Sequence, residues 1–322
     1  MNNFLKSRRL YMLFLLPFLV MAIAVVSSYL PGEHLQAVRV QGVIDLSFIN
    51  RLDKFWGAVI GGAIVLGIAY LIFFISEKFK LLSQTTTLPS LIYVLLTSGM
   101  MVYMGFDYLL IAVLVMALAL ARLQEAIKDT KTNNSLYDFG CLVTLAVAVY
   151  PKFVFLLLWA LCVLFFCGRS TLKDIVALWL GILTPVLFIT FYYFWTDRLD
   201  QLIPIFTRNL MLGEYIHRLP AMEVVRLTIL SAILLVALYQ LSLRYSLLIV
   251  SQRRGILALV SMLIFLSLTF VVIPVDYYDF MYMFALPLAF LYAYYFISNR
   301  LILVGNVFFI LLLAACLLTC WV

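Results

Sequence analysis

Residues 55–76, FWGAVIGGAIVLGIAYLIFFIS, form an unbroken apolar run without a charged side chain. At about 1.5 Å per residue, a helix over this run crosses the roughly 30 Å of hydrocarbon in a bilayer. Similar runs recur along the 322-residue chain, which is 66% hydrophobic and 11% charged. A typical soluble domain is about 45–50% apolar and about 25% charged. The composition therefore excludes a soluble globular protein and a disordered chain, and it predicts a polytopic membrane protein.

The apolar runs are continuous rather than alternating, so they predict helices and not barrel strands. We expect an all-α integral membrane protein with eleven transmembrane helices in a single domain over residues 1–322. The long helices are predicted over Leu10–Leu30, Phe55–Ser76, Asp174–Trp195, Val225–Tyr245, Ile256–Val275, Phe280–Ser298 and Leu301–Trp321. Two short helical hairpins within residues 88–168 supply the others, Leu88–Met104, Asp107–Ala121, Leu136–Tyr150 and Phe153–Gly168.

Basic residues predict the orientation, because Lys and Arg collect on the cytoplasmic side. With the N-terminus inside and the C-terminus outside, the inner side holds 14 of the 22 basic residues, and the outer side holds 10 of the 15 acidic residues. Topology then explains the net charge of +7, so no nucleic-acid partner is expected. The first helix lacks a clean cleavage site and is expected to remain as an anchor, which predicts a multi-pass protein of the inner (plasma) membrane.

Two predicted outer segments, residues 31–54 and 196–224, are long enough to carry a function. In the second, apolar residues recur at helical spacing, which is typical of an amphipathic helix that lies in the membrane interface. These residues are Leu199, Leu202, Ile203, Phe206 and Leu210.

The histidines and cysteines do not indicate a metal site. His34 and His217 lie in the outer loops near Glu33 and Glu214, without the spacing of a zinc motif. All five cysteines lie within predicted spans, where a small side chain packs, and no disulfide is expected. No cofactor is therefore predicted, although the sequence remains compatible with a divalent metal.

Gly57 and Gly61 form a GxxxG pair in the second predicted helix. Small residues at this spacing let two helices approach closely. We expect the pair to pack against a neighbouring helix within the bundle.

The two short hairpins carry Asp107 and Lys152 at their outer turns. Helices of 15 to 17 residues span only about 22–26 Å, so these turns should lie below the outer surface. An acid and a base held at that depth indicate a cavity that opens outward. The alternative is that Asp107 caps a helix and Lys152 extends its ammonium group to the surface.

Part of the chain, from Leu81 to Trp195, resembles two families. Thr87–Leu96 (TLPSLIYVLL), the Asp107 hairpin, Asn133–Gly140 (NNSLYDFG) and Tyr150-Pro-Lys152 resemble a group of uncharacterised polytopic inner-membrane proteins of Bacteroidetes. More distantly, the layout from Gly140 through Lys152 to Leu164 is similar to the C-type glycosyltransferases, which use polyprenyl-phosphate sugars.

The more distant resemblance implies a glycosyltransferase C-like helix arrangement, a polyprenyl-phosphate-linked sugar as partner and a set of site residues. Asp107 matches the second catalytic acid, and Lys152 matches the lysine that binds the lipid phosphate. The superfamily's paired-acid motif after the first helix is absent, so the first acid stays open among Glu33, Asp45 and Asp53. Arg208 and Arg218 are candidates for further phosphate contacts, because a guanidinium group binds phosphate oxygens in a fixed fork.

Two other classes of function stay open. A noncatalytic component of an envelope assembly, with other membrane proteins as partners, fits the nearly uncharged helices and short inner loops. A transporter or lipid-handling protein would carry charged or broken helices near the midplane and repeat symmetry. Neither feature is evident in the sequence.

Overall fold

The structure is a computed structural model that describes residues 11–29, 42–44, 46, 53–82, 84–104, 106–129, 133–211, 221–298 and 302–318. Within these ranges every regular element is a helix, and there is no β-strand. Six of the described helices are long and apolar enough to cross a membrane. The protein is therefore a helical, multi-pass membrane protein, as its composition predicts.

Twelve α-helices lie in the part of the chain that the structure describes. They are α1 (Tyr11–Tyr29), α2 (Lys54–Lys78), α3 (Leu88–Met104), α4 (Tyr108–Lys128), α5 (Asn134–Val149), α6 (Phe155–Phe166), α7 (Leu172–Trp195), α8 (Leu199–Leu210), α9 (Ala221–Arg244), α10 (Val250–Val272), α11 (Tyr277–Ser298) and α12 (Ile302–Leu318). Each of the eleven predicted segments coincides with one of these helices. The remaining helix, α8, covers the stretch whose spacing predicted an amphipathic helix. The number of spans and the orientation in the membrane stay predictions.

Helix α4 is longer than its apolar run predicts. The run ends at Ala121, but the helix continues to Lys128 and contains 21 residues. The extension carries ion pairs. The Glu125 carboxylate accepts hydrogen bonds from Lys78 at 3.1 Å and from Arg122 at 2.8 Å. The expectation that every hairpin helix is too short to span is therefore wrong for α4.

The turns between helices gather at two ends of the bundle. At one end, which we call the Arg169 end, the Gln252 amide donates to the Lys80 carbonyl oxygen at 2.8 Å, and the Lys128 ammonium donates to the Lys78 carbonyl oxygen at 3.3 Å. The opposite end, which we call the Asp279 end, contains residues 106–108, 149–152, 195–211 and 272–279. The turns that were predicted to share the outer side of the membrane thus lie at the Asp279 end.

Helix α11 lies at the centre of the bundle. It packs against α3, α4, α9 and α10. Of the residues in its most apolar 18-residue stretch, 94% are buried. Helix α7 is peripheral and packs mainly against α5. Only 17% of the residues in its corresponding apolar stretch are buried. The central position of α11 places its first turn, which includes Asp279, in the interior of the bundle.

Two glycines bring α5 and α7 into close contact. A Cβ atom added to Gly181 would lie 2.2 Å from the Tyr137 carbonyl oxygen, and one added to Gly140 would lie 2.7 Å from the Leu178 carbonyl oxygen. At Gly57, in contrast, no atom of the described residues lies within 4 Å of an added Cβ. The close approach predicted at Gly57 is therefore wrong, and the close helix crossing is at Gly140 and Gly181.

Replacing Gly181 with alanine is expected to destabilise the protein by about 1–3 kcal/mol, because the two helices must move apart to admit the methyl group. The matched control is Gly57→Ala, which adds the same methyl group where there is space. The measurement is the free energy of unfolding in a detergent titration. Equal effects of the two substitutions would contradict the prediction.

Candidate functional site

Three buried polar side chains meet at the Asp279 end, and we call them the acid–lysine cluster: Tyr150, Lys152 and Asp279. The Tyr150 hydroxyl donates to Asp279 Oδ2 at 2.5 Å. Lys152 Nζ lies 4.0 Å from the same oxygen. The lysine is 0% exposed and the aspartate 4% exposed. The cluster joins the turn after α5 to the first turn of the central helix α11.

A proline turn directs Lys152 into the bundle. Pro151 ends α5 because it has no backbone N–H to continue the helix, and it begins the 3₁₀-helix Pro151–Val154. The rings of Tyr150 and Phe153 pack edge to face, with centroids 5.3 Å apart. Helices α8 and α10 both pack against this turn. The turn is therefore enclosed on several sides, and Lys152 lies within it.

A described part of the first outer segment is anchored beside the cluster. The Val43 backbone N–H donates to the Ala148 carbonyl oxygen at 2.8 Å, and the Tyr193 hydroxyl donates to the Val43 carbonyl oxygen at 2.8 Å. A Cβ atom at Gly42 would lie 2.3 Å from the Val149 carbonyl oxygen, so only glycine fits there. Residues 42–44 therefore cover the end of α5, next to Tyr150.

Two charged groups of the cluster keep unused hydrogen-bonding capacity. Among the described residues, neither Lys152 Nζ nor Asp279 Oδ1 has a hydrogen-bond partner. The carboxylates of Asp107 and Asp276 lie close enough for their charges to act on both Lys152 and Asp279. Burying an ion costs several kcal/mol unless its hydrogen bonds are satisfied. A buried ammonium group with free donors is therefore suited to bind an anionic ligand.

Asp107 has the capping role and also lies near the cluster. Its Oδ1 accepts a hydrogen bond from the Tyr108 backbone N–H at 2.7 Å at the start of α4. Lys152 does not extend to the surface, since its side chain is fully buried. The structure thus brings together the two residues that the hairpin turns single out, and it contradicts the surface position for Lys152.

A second buried ionic group, Glu223, Arg226 and Tyr277, lies at the same end of the bundle. Arg226 Nη1 lies 3.6 Å from Glu223 Oε2, and its Nη2 donates to the Leu96 carbonyl oxygen at 3.3 Å. The Tyr277 hydroxyl also donates to Glu223 Oε2. Arg226 is 1% exposed. Positions 277 and 279 are about 200° apart on a helix, so the two ionic groups flank α11 on different sides.

Two other predicted site residues, Asp53 and Arg208, are described and are not part of the acid–lysine cluster. Asp53 precedes α2, and its side chain is exposed and makes no capping hydrogen bond. Arg208 is exposed on α8. Glu33, Asp45 and Arg218 lie outside the described residues.

No protein-family model, curated protein or solved structure matches the chain. The site therefore has to be interpreted from its own chemistry. Within the described ranges, no group of three or more His, Cys, Asp and Glu side chains could hold a metal ion. The chemistry present is a buried cation, neighbouring carboxylates and phenolic hydroxyls.

Five residues of the two buried groups were not among the site residues predicted from the sequence: Tyr150, Asp279, Glu223, Arg226 and Tyr277. Two signals were available. Glu223 and Arg226 are spaced i, i+3 at the start of a predicted span, and Asp279 follows two tyrosines at the start of another. An ionisable residue in the first turn of a membrane helix is a site candidate when that helix is buried on all sides.

Proposed function

We propose that the protein is a glycosyltransferase-like enzyme of the inner membrane that acts on lipid-linked sugars at the outer face. The observation that supports this proposal is the fully buried Lys152, whose ammonium group has no hydrogen-bond partner among the described residues. The oxygens of a lipid phosphate would supply hydrogen-bond acceptors for this ammonium group. The proposal places the Asp279 end of the bundle at the outer face, in line with the charge distribution in the sequence.

In the proposed reaction, a hydroxyl oxygen of the acceptor attacks the anomeric carbon of the lipid-linked sugar. The bond between that carbon and the phosphate oxygen breaks, and the polyprenyl phosphate leaves with the electron pair. Asp107 takes the proton of the acceptor hydroxyl, and Lys152 stabilises the charge on the departing phosphate. Arg208 and Arg218 are the proposed further phosphate contacts, and Glu33, Asp45 and Asp53 remain candidates for the other acid.

Transport of a solute is a second candidate function, because two ionic pairs are buried where spans begin. Lys152 pairs with Asp279, and Arg226 pairs with Glu223. Ionisable groups inside a helical bundle often mark ion or substrate pathways. Uptake of a labelled solute into proteoliposomes would favour this candidate.

Replacing Asp107 with asparagine is expected to lower glycosyl transfer by about 100- to 10,000-fold while the protein stays folded. The carboxylate that accepts the proton is lost. The cap of α4 remains, because an asparagine oxygen can accept the same hydrogen bond from the Tyr108 N–H. The measurement is the loss of labelled hexose from a polyprenyl phosphate added to membranes that contain the protein.

The matched control is Asp200→Asn, which removes an exposed carboxylate of α8 at the same end of the bundle. This control is expected to retain full activity. Full activity of the Asp107→Asn variant would remove Asp107 from the mechanism. If the labelled hexose is lost from the polyprenyl phosphate at the same rate without the protein, the transferase proposal fails. Co-purification of fixed membrane-protein partners would then favour a noncatalytic component of an envelope assembly.

A further inference from the structure

Two buried tyrosines near the acid–lysine cluster have hydroxyl groups without partners. Tyr93 on α3 is 0% exposed, and Tyr282 on α11 is 1% exposed. Neither hydroxyl has a hydrogen-bond partner among the described residues. Other buried tyrosines behave differently: the Tyr292 hydroxyl, for example, donates to the Leu230 carbonyl oxygen at 2.7 Å. The two free hydroxyls therefore need a separate explanation.

The free hydroxyls lie close to the acidic groups of the site. Tyr282 is within electrostatic range of Tyr93, Asp107 and Asp279. It follows Asp279 by three positions on α11, so the two side chains share a face, with Tyr282 about one turn deeper in the bundle. Among the described residues, Asp279 Oδ1, like the two hydroxyls, lacks a hydrogen-bond partner. Tyr282 and Asp279 thus present unpartnered polar atoms on one face of α11, with Tyr93 of α3 beside Tyr282.

Buried polar atoms without partners cost free energy, and most buried polar groups in proteins are hydrogen-bonded. A phenol can donate and accept, and a carboxylate oxygen accepts. Sugar hydroxyls have the complementary capacity, because each can also donate and accept. A phosphate group would match the hydroxyls but would be repelled by Asp279, whereas at Lys152 the ammonium group would offset that repulsion. The chemistry therefore favours a neutral ligand group that carries several hydroxyls.

We propose that Tyr93, Tyr282 and Asp279 form a subsite for the hydroxyl-bearing part of the ligand, beneath a phosphate position at Lys152. This inference rests on the proposed function, in which that part is the sugar of the lipid-linked donor. The subsite distinguishes a sugar-bearing lipid phosphate from the same lipid phosphate without a sugar.

The first test compares the binding of two probes to the purified protein in nanodiscs: a polyprenyl phosphate, and the same polyprenyl phosphate carrying one hexose. The double variant Tyr93→Phe/Tyr282→Phe removes only the two hydroxyls. We expect it to bind the hexose-bearing probe about 10- to 100-fold more weakly and the sugar-free probe unchanged. The control variant Tyr239→Phe, which changes an exposed tyrosine, is expected to bind both probes like wild type.

Selective weakening of the hexose-bearing probe supports the subsite. Unchanged binding of both probes, or equal weakening of both, overturns it. Failure of the wild type to bind the sugar-free probe overturns the proposed phosphate site instead. In that case a second measurement decides the subsite independently of lipid phosphate.

The second measurement is cysteine labelling in a variant from which the five native cysteines are removed. Tyr93→Cys and Tyr282→Cys are compared with Ile92→Cys and Ala285→Cys, which are buried on the same two helices. A small hydrophilic thiol reagent is expected to label positions 93 and 282 at least tenfold faster than positions 92 and 285. Equal rates would overturn a polar subsite.

Discussion

Replacing Lys152 with methionine is expected to abolish binding of a polyprenyl phosphate and to destabilise the protein by less than the roughly 3–5 kcal/mol that breaking a buried ion pair typically costs. The ammonium group is fully buried and has no hydrogen-bond partner among the described residues. Its burial therefore costs several kcal/mol that the pair with Asp279, at 4.0 Å, offsets only in part. Methionine fills a similar volume without that cost. Asp279 loses its cation but keeps the hydrogen bond from the Tyr150 hydroxyl, which limits the loss of stability. We expect the affinity for the phosphate to fall by about 100-fold or more, since charge-assisted hydrogen bonds are lost.

The size of the stability change separates a ligand site from a structural ion pair. If Lys152 served mainly to neutralise Asp279, its removal would cost about 3–5 kcal/mol. The measurements are the thermal unfolding midpoint in detergent and the binding of the labelled polyprenyl phosphate. Lys173→Met, an exposed position at the Arg169 end, is the control for the loss of one positive charge. A destabilised Lys152→Met variant that still binds the lipid would contradict the proposed phosphate site.

Replacing Arg169 with alanine is expected to destabilise the protein by about 3–5 kcal/mol. Its guanidinium group is 3% exposed and joins three helices at the Arg169 end. Nη1 donates to the Ala126 and Asp129 carbonyl oxygens at 3.1 and 2.9 Å, at the end of α4. Nη2 donates to Asp174 Oδ1 at 2.8 Å, at the start of α7, and to Asn133 Oδ1 at 3.0 Å, before α5. The substitution leaves Asp174 buried without its cation, which is the costly outcome for a buried pair.

The conservative variant Arg169→Lys is expected to recover only a small part of this loss. Lysine keeps the charge but cannot reproduce the planar fork that reaches several acceptors at once. The control Lys173→Ala changes an exposed side chain in the first turn of α7 and is expected to be neutral. The measurement is the free energy of unfolding in a detergent titration. A loss of less than about 1 kcal/mol in Arg169→Ala would show that these hydrogen bonds contribute little to stability.

The apolar runs predicted where helices form, because lipid requires every backbone hydrogen bond to be satisfied within the helix. They did not predict where helix α4 ends. Its last turns carry Arg122, Glu125 and Lys128, which lower the hydropathy but are good helix formers and pair with one another or with α2. The close crossing at Gly140 and Gly181 was also missed, because the need for a small residue depends on which helices meet.

Of the three residues of the acid–lysine cluster, only Lys152 could be predicted from the sequence. Lys152 stood out because a charge in a short apolar hairpin has no good place in lipid. Asp279 and Tyr150 did not, since each lies at the start or end of a span, where polar residues are ordinary. Their roles come from the packing of α11 against the proline turn, which joins residues that are 129 positions apart in the chain.

The central position of α11 has a consequence for how the protein is made. Of the six described helices that are long and apolar enough to cross a membrane, α11 has the lowest mean hydropathy, 1.6, and is the most buried. It is also synthesised after all four of its main neighbours, α3, α4, α9 and α10. When its first turn leaves the ribosome, the side chains that accommodate Asp279 are already in the membrane. Biogenesis can therefore integrate this polar helix late, into a nearly complete bundle, with only α12 following among the described helices.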